Sequence, residues 1–191
     1  MIKFDEATHT YTVDGVRLVS VTQVIADAGL YGDATAFFTE YSRNRGTNIH
    51  KIIQWHLSKE LDESTVGPVE RPYFDAWLKF EAEADYVSDA CEKAMASVPY
   101  RFAGTVDHVG HLNGHPSLID TKTGATMPAT SLQLAGYEVL IKSPGIKRFS
   151  LQLMNTGKYK LTEFKNRSDR GVFLSALSLY FWKRNHLNGG K

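Results

Sequence analysis

Cysteine is almost missing from this chain: Cys91 is the only one. One thiol rules out an internal disulfide and leaves too few ligands for a cysteine-bound zinc or an iron–sulfur cluster. Long apolar runs are missing too, and none approaches the ~18–20 residues that a membrane span requires. No signal-peptide pattern opens the chain, so the expected setting is intracellular and reducing. Internal repeats, low-complexity tracts and linker-like stretches are absent. So is a convincing Ser/His/Asp or Cys/His set, which leaves no protein nucleophile to build on. A large net charge is absent as well, the formal value being +1. That balance conceals a polarity along the chain. Residues 60–92 hold ten acidic groups against Arg71 and Lys79, whereas residues 142–191 hold eleven basic groups against Glu163 and Asp169. The acidic half excludes a protein that coats nucleic acid on all sides. The basic end is compatible with a surface for phosphate backbones.

What is present is ordinary globular material, 42% hydrophobic and 23% charged in 191 residues, enough for a single domain with a proper core. Residues 2–12 alternate as a strand does, and Asp14-Gly15 turns them into a second strand over 16–21, giving an N-terminal hairpin. Ser20 or Thr22 can cap a short helix that ends near Gly29. Residues 34–45 have a helical pattern that Gly46-Thr47 breaks, with Thr47 as N-cap of a helix carrying Ile49, Ile52, Ile53 and Leu57 on one face. After a loop over 62–72, Phe74, Trp77, Leu78 and Phe80 mark a helix over 73–85. The pattern then changes to strands over 91–98, 102–112 and 116–121. A helix over 131–141 follows, then a hairpin of 148–153 with 159–164, and a long helix over 169–186 whose core stripe is Phe173, Leu177, Tyr180 and Phe181. The expected fold class is α/β in one unit, divided as 1–45 (N-terminal hairpin and helices), 46–141 (core motifs) and 142–191 (hairpin and closing helix).

The middle of this unit carries the chemistry. Asn113-Gly114 is a strong hairpin signal, because both residues tolerate the positive φ of a type I′ turn. A two-residue loop there pairs Leu112 with His115, and the same register sets Asp107 opposite Asp120 and Thr105 opposite Lys122. Lys122 lies two residues beyond Asp120, on the same face. Like charges directly opposed on a sheet are destabilising, unless they are solvated on an open face or share a cation. Val106 and Ile119 beside them favour the cation. Oxygen ligands with room for water and phosphate suit Mg²⁺ or Mn²⁺.

Three separated segments stand in order: Gly46-Thr-Asn-Ile-His50-Lys-Ile-Ile-Gln54, then Gly104-Thr-Val-Asp107 with Ile119-Asp120-Thr-Lys122-Thr-Gly, then Gln133-Leu-Ala-Gly-Tyr137. Together they resemble the RecB-like branch of the PD-(D/E)XK nuclease superfamily, which includes phage exonucleases, Cas4-type nucleases and the mitochondrial genome maintenance exonuclease. The opening His9-Thr-Tyr-Thr-Val-Asp-Gly, followed by Ser20-Val-Thr22, is similar to phage-encoded members.

The resemblance implies a mixed central sheet flanked by helices and a metal-dependent deoxyribonuclease, most of all an exonuclease acting on DNA ends in phage-type replication or recombination. By the same resemblance Asp107, Asp120 and Lys122 are catalytic. His50, Asp107, Asp120 and a carbonyl near Thr121 hold one or two Mg²⁺ or Mn²⁺ ions, and Gln133 and Tyr137 contact DNA. Partners would be single-stranded or duplex DNA ends and recombination or replication proteins, with the host cytoplasm as the compartment of a phage-encoded chain. Gln54 departs from the pattern, since family members often carry glutamate four residues after the histidine. It and Glu92, which opens the strand before the hairpin, are supporting candidates. The departure keeps in play an inactive or weak DNA-binding module on the same fold, and an endonuclease is the other alternative.

Overall fold

A computed structural model of the chain describes residues 1–32 and 39–187. Among the described residues, eight strands form one mixed sheet flanked by five α-helices. The N-terminal region is a three-stranded meander, not the single hairpin expected from alternation. β1 (Ile2–Asp5) and β2 (Thr10–Val13) are joined through Thr8 and His9, and β3 (Val16–Ser20) follows the Asp14-Gly15 turn. Thr8 N–H donates to Asp5 and His9 takes a positive φ of 48°, so the break comes from local side-chain bonding that alternation does not register. Ser20 then caps α1 (Val21–Asp27) in a reciprocal capping box with Gln23.

α2 (Glu40–Leu57) is one continuous 18-residue helix capped by Thr39, so neither the break at Gly46-Thr47 nor the Thr47 cap is observed. A mid-helix glycine costs about 1 kcal/mol. Burial of Ile49, Ile52 and Ile53 outweighs it. Residues 34–38 of the expected 34–45 helix lie outside the described residues. α3 (Arg71–Glu83) starts with proline in its first turn and buries Phe74, Trp77 and Phe80.

β4 (Tyr86–Ser97) begins five residues before the expected start, which places Glu92 inside the strand and not at its opening. β5 (Phe102–Leu112), β6 (His115–Lys122), α4 (Ala129–Ile141), β7 (Lys147–Leu153), β8 (Tyr159–Glu163) and α5 (Asp169–His186) complete the chain. α1, α4 and α5 pack with Phe102, Val106 and Leu118 on one side of the sheet. α2 and α3 pack with Leu112, Ile119, Phe149 and Leu151 on the other. Among the described residues no helix is long and apolar enough to cross a membrane.

The path of the sheet is β1-β2-β3-β5-β6-β7-β8, with β4 paired to β5. β4 occupies one edge of β5 from Phe102 to Leu112. The other edge is shared. Parallel β3 pairs at Phe102 and Ala103, and antiparallel β6 pairs only from His108 to Leu112. Residues 104–107 therefore border a fork in the sheet.

Candidate active site

The fork changes the expected register at its most important point. Leu112↔His115 holds, and the pairing runs back as far as His108↔Ile119. There β6 leaves β5 and continues beside β7, so Asp107/Asp120 and Thr105/Lys122 are not ladder partners. The Thr121 N–H, released from the ladder, donates to Asp107 Oδ2 at 2.8 Å. Side-chain alternation also breaks here. Val106 belongs to the α1/α4/α5 core, yet His108, two residues on, stacks on Trp77 of α3 at 4.8 Å. Residues i and i+2 of a regular strand share a face. Across the ladder, between the Cys91↔His108 and Lys93↔Val106 pairs, Glu92 has φ 49°. Both strands are thus bent at one level, and an acidic side chain from each turns into the fork.

His50 reaches the same place from α2. Its Nδ1 lies 2.6 Å from Glu92 Oε1 and 3.8 Å from Asp107 Oδ2, and its Nε2 lies 3.2 Å from the Thr121 carbonyl. One ligand atom from each of His50, Glu92 and Asp107 falls within 4.8 Å of the others. Both ring nitrogens face acceptors, which favours the imidazolium. Burial pulls the His50 pKa down, but Asp107 and Glu92 outweigh it and push it up to about 9. Asp107 is itself held above the ordinary carboxylate range by burial, against the pull of His50, and Glu92 adds to the rise.

Asp120 stands apart from this trio. Its carboxylate is 1% exposed and lies against Lys122 Nζ, at 3.0 Å from Oδ1 and 2.8 Å from Oδ2. Burial raises its pKa to about 6 despite Lys122. Burial lowers the Lys122 pKa, but Asp120 and then Asp107 more than offset it, so the amine stays protonated. Lys122 Nζ is 3.4 Å from Gln133 Oε1, and Gln133 Nε2 donates to the Tyr137 hydroxyl at 3.0 Å. These two residues are one turn apart on α4, so a single polar chain runs Asp120–Lys122–Gln133–Tyr137. The Tyr137 ring is 4% exposed and packs so closely on Gly104 that a Cβ there would sit 2.8 Å from Cε1.

The donor set fits a divalent cation. Two carboxylates and an imidazole converge on one point, where the proton on Nδ1 now provides the balancing charge. Asp120 Oδ2, though close to Lys122, is buried without a hydrogen bond, which leaves an oxygen lone pair for a ligand. The Nε2–carbonyl bond also fixes the ring so that Nδ1 faces the carboxylates, as an outer partner does for a metal-bound histidine.

Two connected clefts open onto the group. The smaller, of about 240 Å³, is lined by Asp107, Lys122, Gln133 and Tyr137. The larger, of about 560 Å³, is lined by Phe4, Gly46, Lys51 and Gln54, and both share His9, His50, Glu92 and Thr105.

Sequence reasoning treated Glu92 only as a supporting candidate and overlooked His108. A signal for Glu92 was present: a tight 98–101 turn sets Ser97 against Phe102, and that register carries Glu92 to Asp107. His108 is 1% exposed, and burial together with the His50 charge lowers its pKa to about 3. Its neutral ring contacts the Thr121 hydroxyl at 3.1 Å, bracing the residue that touches both Asp107 and His50.

No protein-family model matches the chain, and a comparison with characterised proteins found no match. Among solved structures, SSO0001 is similar over 88% of this chain and 77% of its own, at 12% identity and a TM-score of 0.43. The alkaline exonuclease LHK-Exo from Laribacter hongkongensis is similar over 90% of this chain and 94% of its own, at 13% identity and a TM-score of 0.41. LHK-Exo in complex with dAMP gives 16% identity with the same coverage and TM-score. Identity and TM-score are both too low to assign a function, which rests on the geometry of the fork.

Proposed function

We propose that this protein is a metal-dependent deoxyribonuclease that hydrolyses phosphodiester bonds, acting as an exonuclease at DNA ends. The observation that carries this reading is the juxtaposition, in one fork of the sheet, of the His50–Glu92–Asp107 cluster and the Asp120–Lys122 pair. His50, Glu92, Asp107, Asp120 and the Thr121 carbonyl would hold one or two Mg²⁺ or Mn²⁺ ions. Bound there, such an ion would supply positive charge to the phosphate and would make a water molecule more acidic for attack on phosphorus.

The chain's own groups do the rest. Lys122, kept protonated by Asp120, offers a fixed positive charge to the phosphate as negative charge builds on it. Gln133 holds the lysine from the other side and, with Tyr137, presents polar atoms to the DNA strand. Asp107 takes the Thr121 N–H and thereby fixes the carbonyl that follows it. Gln54, at a cleft wall where a carboxylate would strengthen cation binding, supports a second reading as a DNA-binding module without turnover.

Digestion of end-labelled linear DNA and of covalently closed circles, in Mn²⁺, Mg²⁺ or EDTA, separates these readings. Metal-dependent loss of linear DNA alone is expected, with at least a ~100-fold slower rate for Lys122→Ala. Cutting of closed circles would make it an endonuclease. DNA binding without any digestion would establish the binding module, and retained cleavage by Lys122→Ala, Asp107→Ala and Asp120→Ala would remove the fork from the chemistry.

A further inference from the structure

A third cleft, of about 500 Å³, lies against the same first helix as the active site. Val21 and Thr22 of α1 line the smaller active-site cleft, while Gln23, Ala26 and Asp27 line this one. Its charge is one-sided. Arg17 comes from β3, Arg101 from the turn before β5 and Arg184 from the last turn of α5. All three are exposed, and among the described residues none has a side-chain hydrogen bond or ion pair. The one acid in the wall, Asp27, is taken by Lys183 at 3.0 Å.

Three guanidinium groups in one cleft repel one another, and nothing in the cleft compensates them. Two are held in place nonetheless. Arg101 lies over the Phe181 ring at 4.6 Å and Arg184 over the Tyr180 ring at 4.7 Å. Stacking on an aromatic face fixes the plane of a guanidinium and leaves its N–H edge available, the arrangement that suits a phosphate. The cleft is open and its arginines come from three elements, which suits an extended polyanion better than a small enclosed ligand. Arg17 precedes Ser20, which lines the active-site cleft, by three strand residues, or roughly 10 Å.

We propose that this cleft holds the phosphate backbone of the DNA substrate beyond the scissile position, an inference that rests on the nuclease reading above. The arginines would set affinity and the length of DNA engaged, leaving the chemical step to the fork.

The test is anisotropy of labelled oligonucleotides in EDTA, combined with cleavage assays in Mn²⁺. One oligonucleotide spans only the fork and another extends well past it. The variant combines Arg17→Ala, Arg101→Asn and Arg184→Ala, asparagine being chosen because Arg101 has φ 56°. Its affinity for the long oligonucleotide is expected to fall roughly 10- to 100-fold. The slope of log K against log salt should become shallower by about 2, at ~0.7 per phosphate contact on a single strand. Cleavage of the short oligonucleotide should stay at the wild-type rate, and the three-lysine counterpart, which keeps the charge but not the stacked planar group, should restore the salt slope and only part of the affinity. Unchanged long-DNA affinity and slope in a variant that still cuts short DNA would overturn this inference alone. Wild-type protein that neither binds nor cuts DNA would overturn the nuclease reading with it. Displacement of the long oligonucleotide by inorganic phosphate at equal phosphate concentration would replace the backbone track with a small-anion site.

Discussion

Glu92 sits in the left-handed region in the middle of an extended strand, a backbone state that costs a side-chain-bearing residue roughly 1–2 kcal/mol. Strain of that kind persists where surrounding structure enforces it, and here it aims a carboxylate at His50. If that carboxylate is a cation ligand, Glu92→Gln should weaken Mn²⁺ binding by about 10- to 100-fold while the thermal unfolding midpoint in EDTA barely moves. Titration calorimetry checks it, and wild-type affinity in the variant would take Glu92 out of the site. At this scale the hairpin spacing singles out Asp107, Asp120 and Lys122 and the family resemblance adds His50; all four meet at the fork, although Asp107 and Asp120 are not opposed on the ladder as that spacing implies. Glu92 was harder to read. Its role depends on one positive φ and on a strand starting at Tyr86, and a lone glutamate among alternating small residues announces neither.

Two glycines of β5 show how the elements meet. Gly110 faces the bulge of β4 between Ser88 and Ala90, and a Cβ there would collide with the Val87 carbonyl. Backbone on both sides cannot give way. Gly104 meets side chains alone, the edge of the Tyr137 ring and a methyl of Val21, which can shift by tenths of an ångström. Gly110→Ala should therefore cost about 3 kcal/mol or more in urea unfolding, and Gly104→Ala about 1–2 kcal/mol. Gly104→Ala should also slow any cleavage, because displacing Tyr137 disturbs Gln133 and, through it, Lys122. Equal penalties for the two would mean that the bulge is plastic. The β5–β6 hairpin was legible to the residue at its closed end, where Asn113 and Gly114 have φ 48° and 72°. Its open end was not, because the departure of β6 toward β7 is a non-local pairing. α2 was misjudged for a related reason: a glycine reads as a breaker until the isoleucines beyond it are seen buried.

For the whole molecule, the basic excess of residues 142–191 proved to be two different things. Arg184 lines an exposed cleft, whereas Arg148 is 1% exposed and serves as an internal tie. From β7 its guanidinium reaches Glu138 of α4 at 3.6 Å, Asp169 of α5 at 3.2 Å and the Asn166 carbonyl at 2.6 Å. One side chain thus joins the sheet to α4 and α5, two of the three helices in the layer that positions Gln133 and Tyr137. Charge counting cannot tell such a residue from a surface arginine, since its burial is decided by how α4, β7 and α5 pack together. Removing it leaves the buried Asp169 carboxylate without its ion-pair partner and Glu138 with only Arg167 at 3.8 Å and the Gly145 N–H, so Arg148→Ala should lose about 3–5 kcal/mol in urea unfolding. Neutralising the partners together, as Arg148→Met with Glu138→Gln and Asp169→Asn, removes the stranded charges and keeps the shapes. That triple variant should therefore be clearly more stable than Arg148→Ala alone, despite carrying two more substitutions. If it is equally unstable, the tie acts through its bonds to the Asn166 and Ser131 carbonyls, not through charge. Then the layer is held by main-chain anchoring of α4 and of the segment leading into α5.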